Sequence, residues 1–117
     1  MKALGPEGED IAVRYLKGKG FRILHRNYKT PLGEADIIAC DKDTTVFVEV
    51  KTRSSARFGE PFEAVDSRKR KKLRKIALFY LKHGQKHEST DSPVRFDVVS
   101  IKIRDDDNII EHITEAF

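Results

Sequence analysis

The chain of 117 residues predicts an α/β domain in which a mixed β-sheet is flanked by helices, the core elements following in the order αβββαβ. Three observations carry this expectation. Two stretches repeat apolar residues at helical spacing, three strand-like stretches lie between them, and a strongly apolar strand, VRFDVVSIKI, follows the second helix. The length suits one compact core and is too short for two, so residues 1–117 are expected to form a single domain.

The first helix is expected from Gly8 to about Lys19, because Ala12, Val13 and Leu16 recur at i+3 and i+4 spacing and Gly18 and Gly20 mark its end. Phe21 to Leu24 reads as a short strand, and NYKTPLG, Asn27 to Gly33, as a turn rich in Asn, Pro and Gly. EADIIAC is the second strand. The polar turn Asp41-Lys42-Asp43 leads directly into TTVFVEVKTR, so these strands should pair as an antiparallel hairpin. After the loop SSARFGEPFEAV, Asp66 or Ser67 can cap a second helix running to about His83, with Leu73, Ile76, Ala77 and Tyr80 as its apolar stripe. HGQKHESTDSP reads as a solvated loop before VRFDVVSIKI. A short apolar segment, IIEHITEAF, follows the turn at Asp105 to Asn108, and there is no internal repeat.

Hydrophobic residues make up 38% and charged residues 36%, the balance of a polar globular protein with a modest core. No apolar run approaches the roughly 20 residues that span a bilayer, and MKALGPEGED has no stretch of signal-peptide length, so a cytoplasmic protein without a membrane partner is expected. A single cysteine, Cys40, excludes an internal disulfide and a multi-cysteine zinc site, and reads as a small core hydrophobe. The positive charge is local. In RKRKKLRK, Arg68 to Lys75, seven of eight residues are basic; without them 16 of the 23 Lys and Arg remain against 19 acidic residues. A basic segment on a slightly acidic body suggests a polyanion contact at one place. No aromatic residue interleaves the run, which favours backbone over base recognition.

VFVEVKTR, Val46 to Arg53, is a strand too apolar to carry Glu49 and Lys51 without reason. Alternation sets Val46, Val48 and Val50 on one face and Phe47, Glu49 and Lys51 on the other. The same rule on the second strand groups Glu34, Asp36 and Ile38 opposite Ala35 and Ile37. Pairing through the Asp41 to Asp43 turn then brings Asp36 within reach of Glu49. Two neighbouring carboxylates repel and lose hydration, so they call for a cation or a shared proton. Hard cations such as Mg²⁺ take one or two protein carboxylates and leave positions for phosphate oxygens. Glu9 on the first helix offers a third carboxylate, and with Lys51 and one Mg²⁺ the local charge sums to zero. An ammonium beside such a site can orient water or stabilise the extra charge on a pentavalent phosphate, so the set describes cation-assisted phosphodiester hydrolysis.

The spacing of Asp36, Glu49 and Lys51, with the blocks GED, RNY, GEADII, VFVEVKTR and FGEPFEAVDSRKRKKL, resembles the YraN-type family of the restriction-endonuclease-like PD-(D/E)xK nuclease superfamily. Glu9 is similar to the extra helical glutamate of the archaeal Holliday-junction resolvase branch. The likeness covers nearly the whole chain; Ala35 departs from it, standing where a larger aliphatic is expected. It implies a restriction-endonuclease-like fold with Glu9, Asp36, Glu49 and Lys51 as catalytic residues. Glu9, Asp36 and Glu49 would hold Mg²⁺ or Mn²⁺. DNA, including branched or junction forms, is the implied substrate, and a homodimer follows by analogy with junction-cutting relatives. Arg53, Arg68, Lys69, Arg70, Lys71 and Lys72 are the expected nucleic-acid contacts.

Each reading has a plainer rival. Asp36, Glu49 and Lys51 can form a cross-strand ion-pair cluster, a helical glutamate such as Glu9 can simply suit the helix dipole, and a basic run can be a solvated face. The alternative function is a nucleic-acid-binding module that keeps the fold without turnover. Asp97 is expected to pair with a nearby arginine. His83 and His87 have zinc spacing, but Gly84 between them signals a helix end. No Ser-His-Asp arrangement or Gly-rich phosphate loop is present.

Overall fold

The two apolar stripes form helices α1 (Leu4–Gly18) and α2 (Ser67–His83) in the computed structural model, which describes residues 4–54, 67–83, 93–104 and 107–117. Ser54, expected to open a loop, ends β3; the rest of that loop, SARFGEPFEAV, with GQKHESTDS, the Asp66 cap and Asp105-Asp106, lies outside the described residues. Between and after the helices run β1 (Arg22–Thr30), β2 (Gly33–Asp41), β3 (Thr44–Ser54), β4 (Val94–Ile103) and β5 (Asn108–Ile113). They form one mixed sheet in the order β1-β2-β3-β4-β5. Only β3 and β4 pair in parallel, as expected where α2 lies between them in the chain and supplies a crossover long enough to reverse direction. The other neighbours are antiparallel. This is the restriction-endonuclease-like α/β arrangement. No described helix is long and apolar enough to cross a membrane.

Each helix covers one face. Ala12 and Leu16 of α1 are buried in one cluster with Ile37, Ala39, Val46, Val48, Val99 and Ile101. On the other face Leu73, Ile76, Ala77 and Tyr80 of α2 cluster with Ile38 and Phe47. The alternation of β3 is therefore obeyed, its valines toward α1 and Phe47 toward α2. Phe47 stacks on Phe96, which stacks on Phe117, so an aromatic column continues the α2-side core.

Two expectations change. β1 does not end at Leu24 but runs to Thr30, and the turn shrinks to Pro31-Leu32. As an edge strand, β1 tolerates the exposed Arg26, Asn27 and Lys29 that suggested a turn, while Tyr28 turns inward. The Thr30 hydroxyl organises the reversal by accepting from the amides of Leu32 (3.0 Å) and Gly33 (3.1 Å). Strict alternation on β2 also fails. Ile37 faces α1, yet Ala35, two residues earlier, joins Ile38 in the α2-side cluster. The break falls at Asp36, between the pairs Arg26↔Ile37 and Tyr28↔Ala35, where Asn27 adopts φ 52°. Left-handed backbone suits Asn better than most residues, and the register shift of the β1–β2 ladder lies earlier, between Ile23 and His25. The small Ala35 stands opposite Tyr28.

Asp97, wholly buried on β4, pairs with an arginine as expected and gathers more. Arg95 donates from Nε at 2.9 Å and from Nη2 at 3.0 Å; His112 Nε2 lies 2.8 Å away, and the Glu115 amide donates at 3.1 Å. Burial alone would raise this carboxyl, but the hydrogen bonds from His112, Arg95 and Glu115 outweigh it and hold the pKa below its ordinary value. Removing one member of a buried, hydrogen-bonded charge pair strands the other. Asp97→Ala is therefore expected to lower the unfolding free energy by about 3 kcal/mol, read as a drop in the urea midpoint. An unchanged midpoint would contradict this role.

Candidate functional site

The site begins where two strands stop pairing. The β2–β3 ladder holds from Asp41↔Thr44 to Ile37↔Val48. Beyond it β2 continues beside β1, through Ala35 and Glu34, while β3 continues beside β4 from Glu49 to Ser54. The sheet forks. The tip of the β1–β2 hairpin leans on α2: a Cβ added to Gly33, which has φ 143°, would lie 3.2 Å from Lys72 Cδ and 3.3 Å from Ile76 Cδ1. Gly33 thus permits both the turn and the close seating of the hairpin on the helix.

Asp36 occupies the crotch of the fork. Its Oδ2 accepts the Val50 amide at 2.9 Å, satisfying a β3 donor past the end of the ladder. Glu49 follows the last paired residue of β3, and its residue is only 6% exposed. Glu9 reaches the same place because α1 seats tightly on β3. Gly8 is buried, and a side chain there would collide with Thr52, so the glycine sets the approach of the helix. A cleft of about 410 Å³ is the result, lined by Glu9, Asp36 and the β3 residues from Glu49 to Arg53.

Two ammonium groups serve Glu49. Lys51 Nζ lies 3.4 Å from Oε2, and Lys69 Nζ, from the first turns of α2, lies 2.5 Å from the same oxygen. Burial raises the Asp36 pKa from 3.8 to about 6; the Glu49 carboxylate adds to this, the Val50 amide opposes it, and Glu9 adds a smaller push. Lys51 moves down, by burial first and by the neighbouring Lys69, with Glu49 opposing. For Lys69 burial also works downward, but hydrogen bonding to Glu49 prevails and raises it. At Asp36 the influence of Lys69 and the Val50 amide is outweighed by burial and by the acidic neighbours.

Of the residues singled out in the sequence, Glu9, Asp36, Glu49, Lys51 and Arg53 line one cleft. The basic run divides. Lys69 enters the site and Arg70 lies 5.7 Å from the Phe117 ring centroid, whereas Arg68, Lys71 and Lys72 are exposed, the stem of Lys72 lying against the Gly33 turn. Lys69 as a partner of Glu49, and Thr52 as a cleft residue, escaped the sequence reading; only the three-dimensional seating of α2 and α1 identifies them. Among the described residues no three His, Cys, Asp or Glu side chains are gathered tightly enough to form a ready metal cluster. The cleft is wider than a closed coordination shell, and the Glu49 carboxylate is engaged by the lysines. Its donor type still fits a hard cation, because every acidic group facing it is a carboxylate and Asp36 is short of positive charge.

The profile described as "Uncharacterised protein family UPF0102" matches residues 8–101. Similar proteins span the chain end to end. A UPF0102 protein of Alkaliphilus oremlandii is 48% identical over 116 residues, covering 99% of this chain and 98% of its own length. One from Thermodesulfovibrio yellowstonii is 47% identical over 114 residues, covering 97% and 95%, and one from Clostridioides difficile is 43% identical over 116, covering 99% and 97%.

The raised pKa of Asp36 has a signed consequence for stability. Between the unfolded value near 3.8 and the folded value of about 6 the native state holds more protons than the unfolded one, so this group's contribution falls as pH rises through that window. Asp36→Asn keeps an acceptor for the Val50 amide and removes the charge. In the presence of a chelator it should melt higher than wild type above pH 6, by the equivalent of about 3 kcal/mol, with the difference vanishing near pH 4. A difference independent of pH would refute the electrostatic account.

Proposed function

The chain belongs to the UPF0102 family, a bacterial family related to PD-(D/E)xK folds, and from the forked cleft we propose that it is a divalent-cation-dependent endonuclease hydrolysing phosphodiester bonds in DNA, branched and junction forms included. The observation that carries this reading is the convergence of Glu9, Asp36, Glu49 and Lys51 on one cleft at an open strand edge. Asp36 and Glu49, with help from Glu9, would hold Mg²⁺ or Mn²⁺, which when bound supplies Lewis-acid polarisation and a more acidic water.

The chain's own groups do the rest. Lys51, half-buried and tethered by Glu49, is placed to orient the attacking water and to balance charge building on the phosphoryl oxygens. Asp36 is held in place by the Val50 amide, which donates to its Oδ2. Arg53, at the outer end of the same β3 segment, is placed to take the neighbouring phosphate, and the exposed Arg68 and Lys71 extend the backbone contact along α2 with Lys72 at the hairpin turn. A second reading, a DNA-binding module without turnover, is favoured by one observation: Glu49 already has two ammonium partners.

Incubation with linear, flapped and four-way DNA in Mg²⁺, Mn²⁺ or EDTA separates the two. Wild type should cleave at least one form only with the cation, and Glu49→Gln and Lys51→Ala should each lose roughly a hundredfold or more in rate while still binding DNA. Cleavage surviving both substitutions, or binding with no cleavage by wild type, would overturn the hydrolytic proposal. Replacing Arg68, Lys71 and Lys72 together with alanine should weaken DNA binding and flatten its dependence on salt, measured by fluorescence anisotropy across a salt series. Unchanged affinity would remove α2 from the interface.

A further inference from the structure

A cleft that gathers three carboxylates is unstable in the absence of a cation, and this one contains its own answer. Glu49 is almost fully withdrawn from water, and its Oε2 faces two ammonium groups rather than one. They are not equivalent. Lys51 is on the same strand, 17% exposed and 3.4 Å away, held by the sheet whether or not Glu49 needs it. Lys69 comes from α2, is 37% exposed, and lies closer, at 2.5 Å. It sits in the first turns of the helix, before Leu73 and Ile76, the residues that anchor α2 in the core. Its flexible four-carbon stem can therefore change partner without disturbing the fold.

Resting on the cation-site reading, we infer that Lys69 is the resident counter-ion of Glu49: its ammonium occupies the carboxylate while the protein is free of DNA, and it must leave before Glu49 can ligate a divalent ion. Charge counting gives the reason. Glu9, Asp36 and Glu49 ionised are balanced by a divalent ion and Lys51, so Lys69 becomes a surplus positive charge once the ion enters. Released, it lies beside the cleft near the exposed Arg68, where a DNA phosphate can take it up. Cation and DNA then assist each other, because the phosphate rewards the departure that the ion requires. A lone point charge suits this exchange better than an arginine fork, which would grip the carboxylate through two hydrogen bonds.

The test is titration of Mn²⁺ into DNA-free protein, followed by calorimetry and by thermal melting, for wild type, Lys69→Met, Lys69→Gln, Lys69→Arg and Glu49→Gln. Removing a half-exposed competing ammonium should tighten Mn²⁺ binding by roughly fivefold in both Lys69→Met and Lys69→Gln. Lys69→Arg should bind no more tightly than wild type, and Glu49→Gln should lose binding. The two neutral variants guard against a folding defect in either one, which melting in EDTA reveals. If wild type binds Mn²⁺ through Glu49 and both neutral variants bind it equally or more weakly, Lys69 is not a competitor and this inference fails while the cation site stands. No Mn²⁺ binding by wild type or any variant would overturn the cation site and this inference with it.

Discussion

The parting of β2 from β3 beyond Ile37↔Val48 is the constraint on which the site depends. An uninterrupted antiparallel ladder would bury the edge of β3 from Glu49 onward and leave no cleft beside Asp36 and Lys51. Gly33 lets the hairpin tip rest on Lys72 and Ile76 of α2, and Asn27, between the pairs that flank Asp36, adopts left-handed backbone. At the crotch, Asp36 replaces a strand partner by accepting the Val50 amide with its side chain. A backbone donor that the separation would orphan is thus satisfied by a charged group, and the charge is what makes the location chemically interesting.

Two aspartates, Asp97 wholly buried and Asp36 half-buried, show how environment shifts a carboxyl in opposite directions. Asp97 is surrounded by Arg95, His112 and the Glu115 amide and is held below its ordinary pKa. It ties β4 to β5 and to the segment ending at Phe117. Asp36 has one backbone donor, two acidic neighbours and a pKa raised to about 6. The first arrangement stabilises the native state; the second costs stability at neutral pH. Uncompensated electrostatic strain of that kind persists where a site needs a ligand to complete it.

Much of this was readable in the residues. The α2 stripe and the β3 alternation are consequences of periods 3.6 and 2, and the Asp41 to Asp43 turn sets the register that brings Asp36 to Glu49. What escaped was whatever depends on a departure from period. β1 looked like a turn because an edge strand with an exposed side can be polar, and Ala35 was assigned to the wrong face because alternation slips at Asp36. Contacts between distant segments left no local signal either. Nothing beside His112 in the sequence announces Asp97, and nothing beside Gly8 announces Thr52.

The basic run is the clearest case of a linear pattern that space redistributes. On a strand or in an unfolded tail, Arg68 to Lys72 would act as one block of charge, but a helix turns each residue about 100° from the last and gives neighbours different surroundings. Lys69 thereby meets Glu49, Arg70 and Arg74 lie near the Phe117 ring, and the stem of Lys72 meets the Gly33 turn, while Arg68, Lys71, Lys72, Arg74 and Lys75 are all exposed. One short segment therefore sends one ammonium to the acidic cleft, borders the aromatic column and still presents an exposed positive surface. Because the same helix turn carries both the ammonium at Glu49 and the exposed cations, the electrostatics of the cleft and those of the outer surface are mechanically joined.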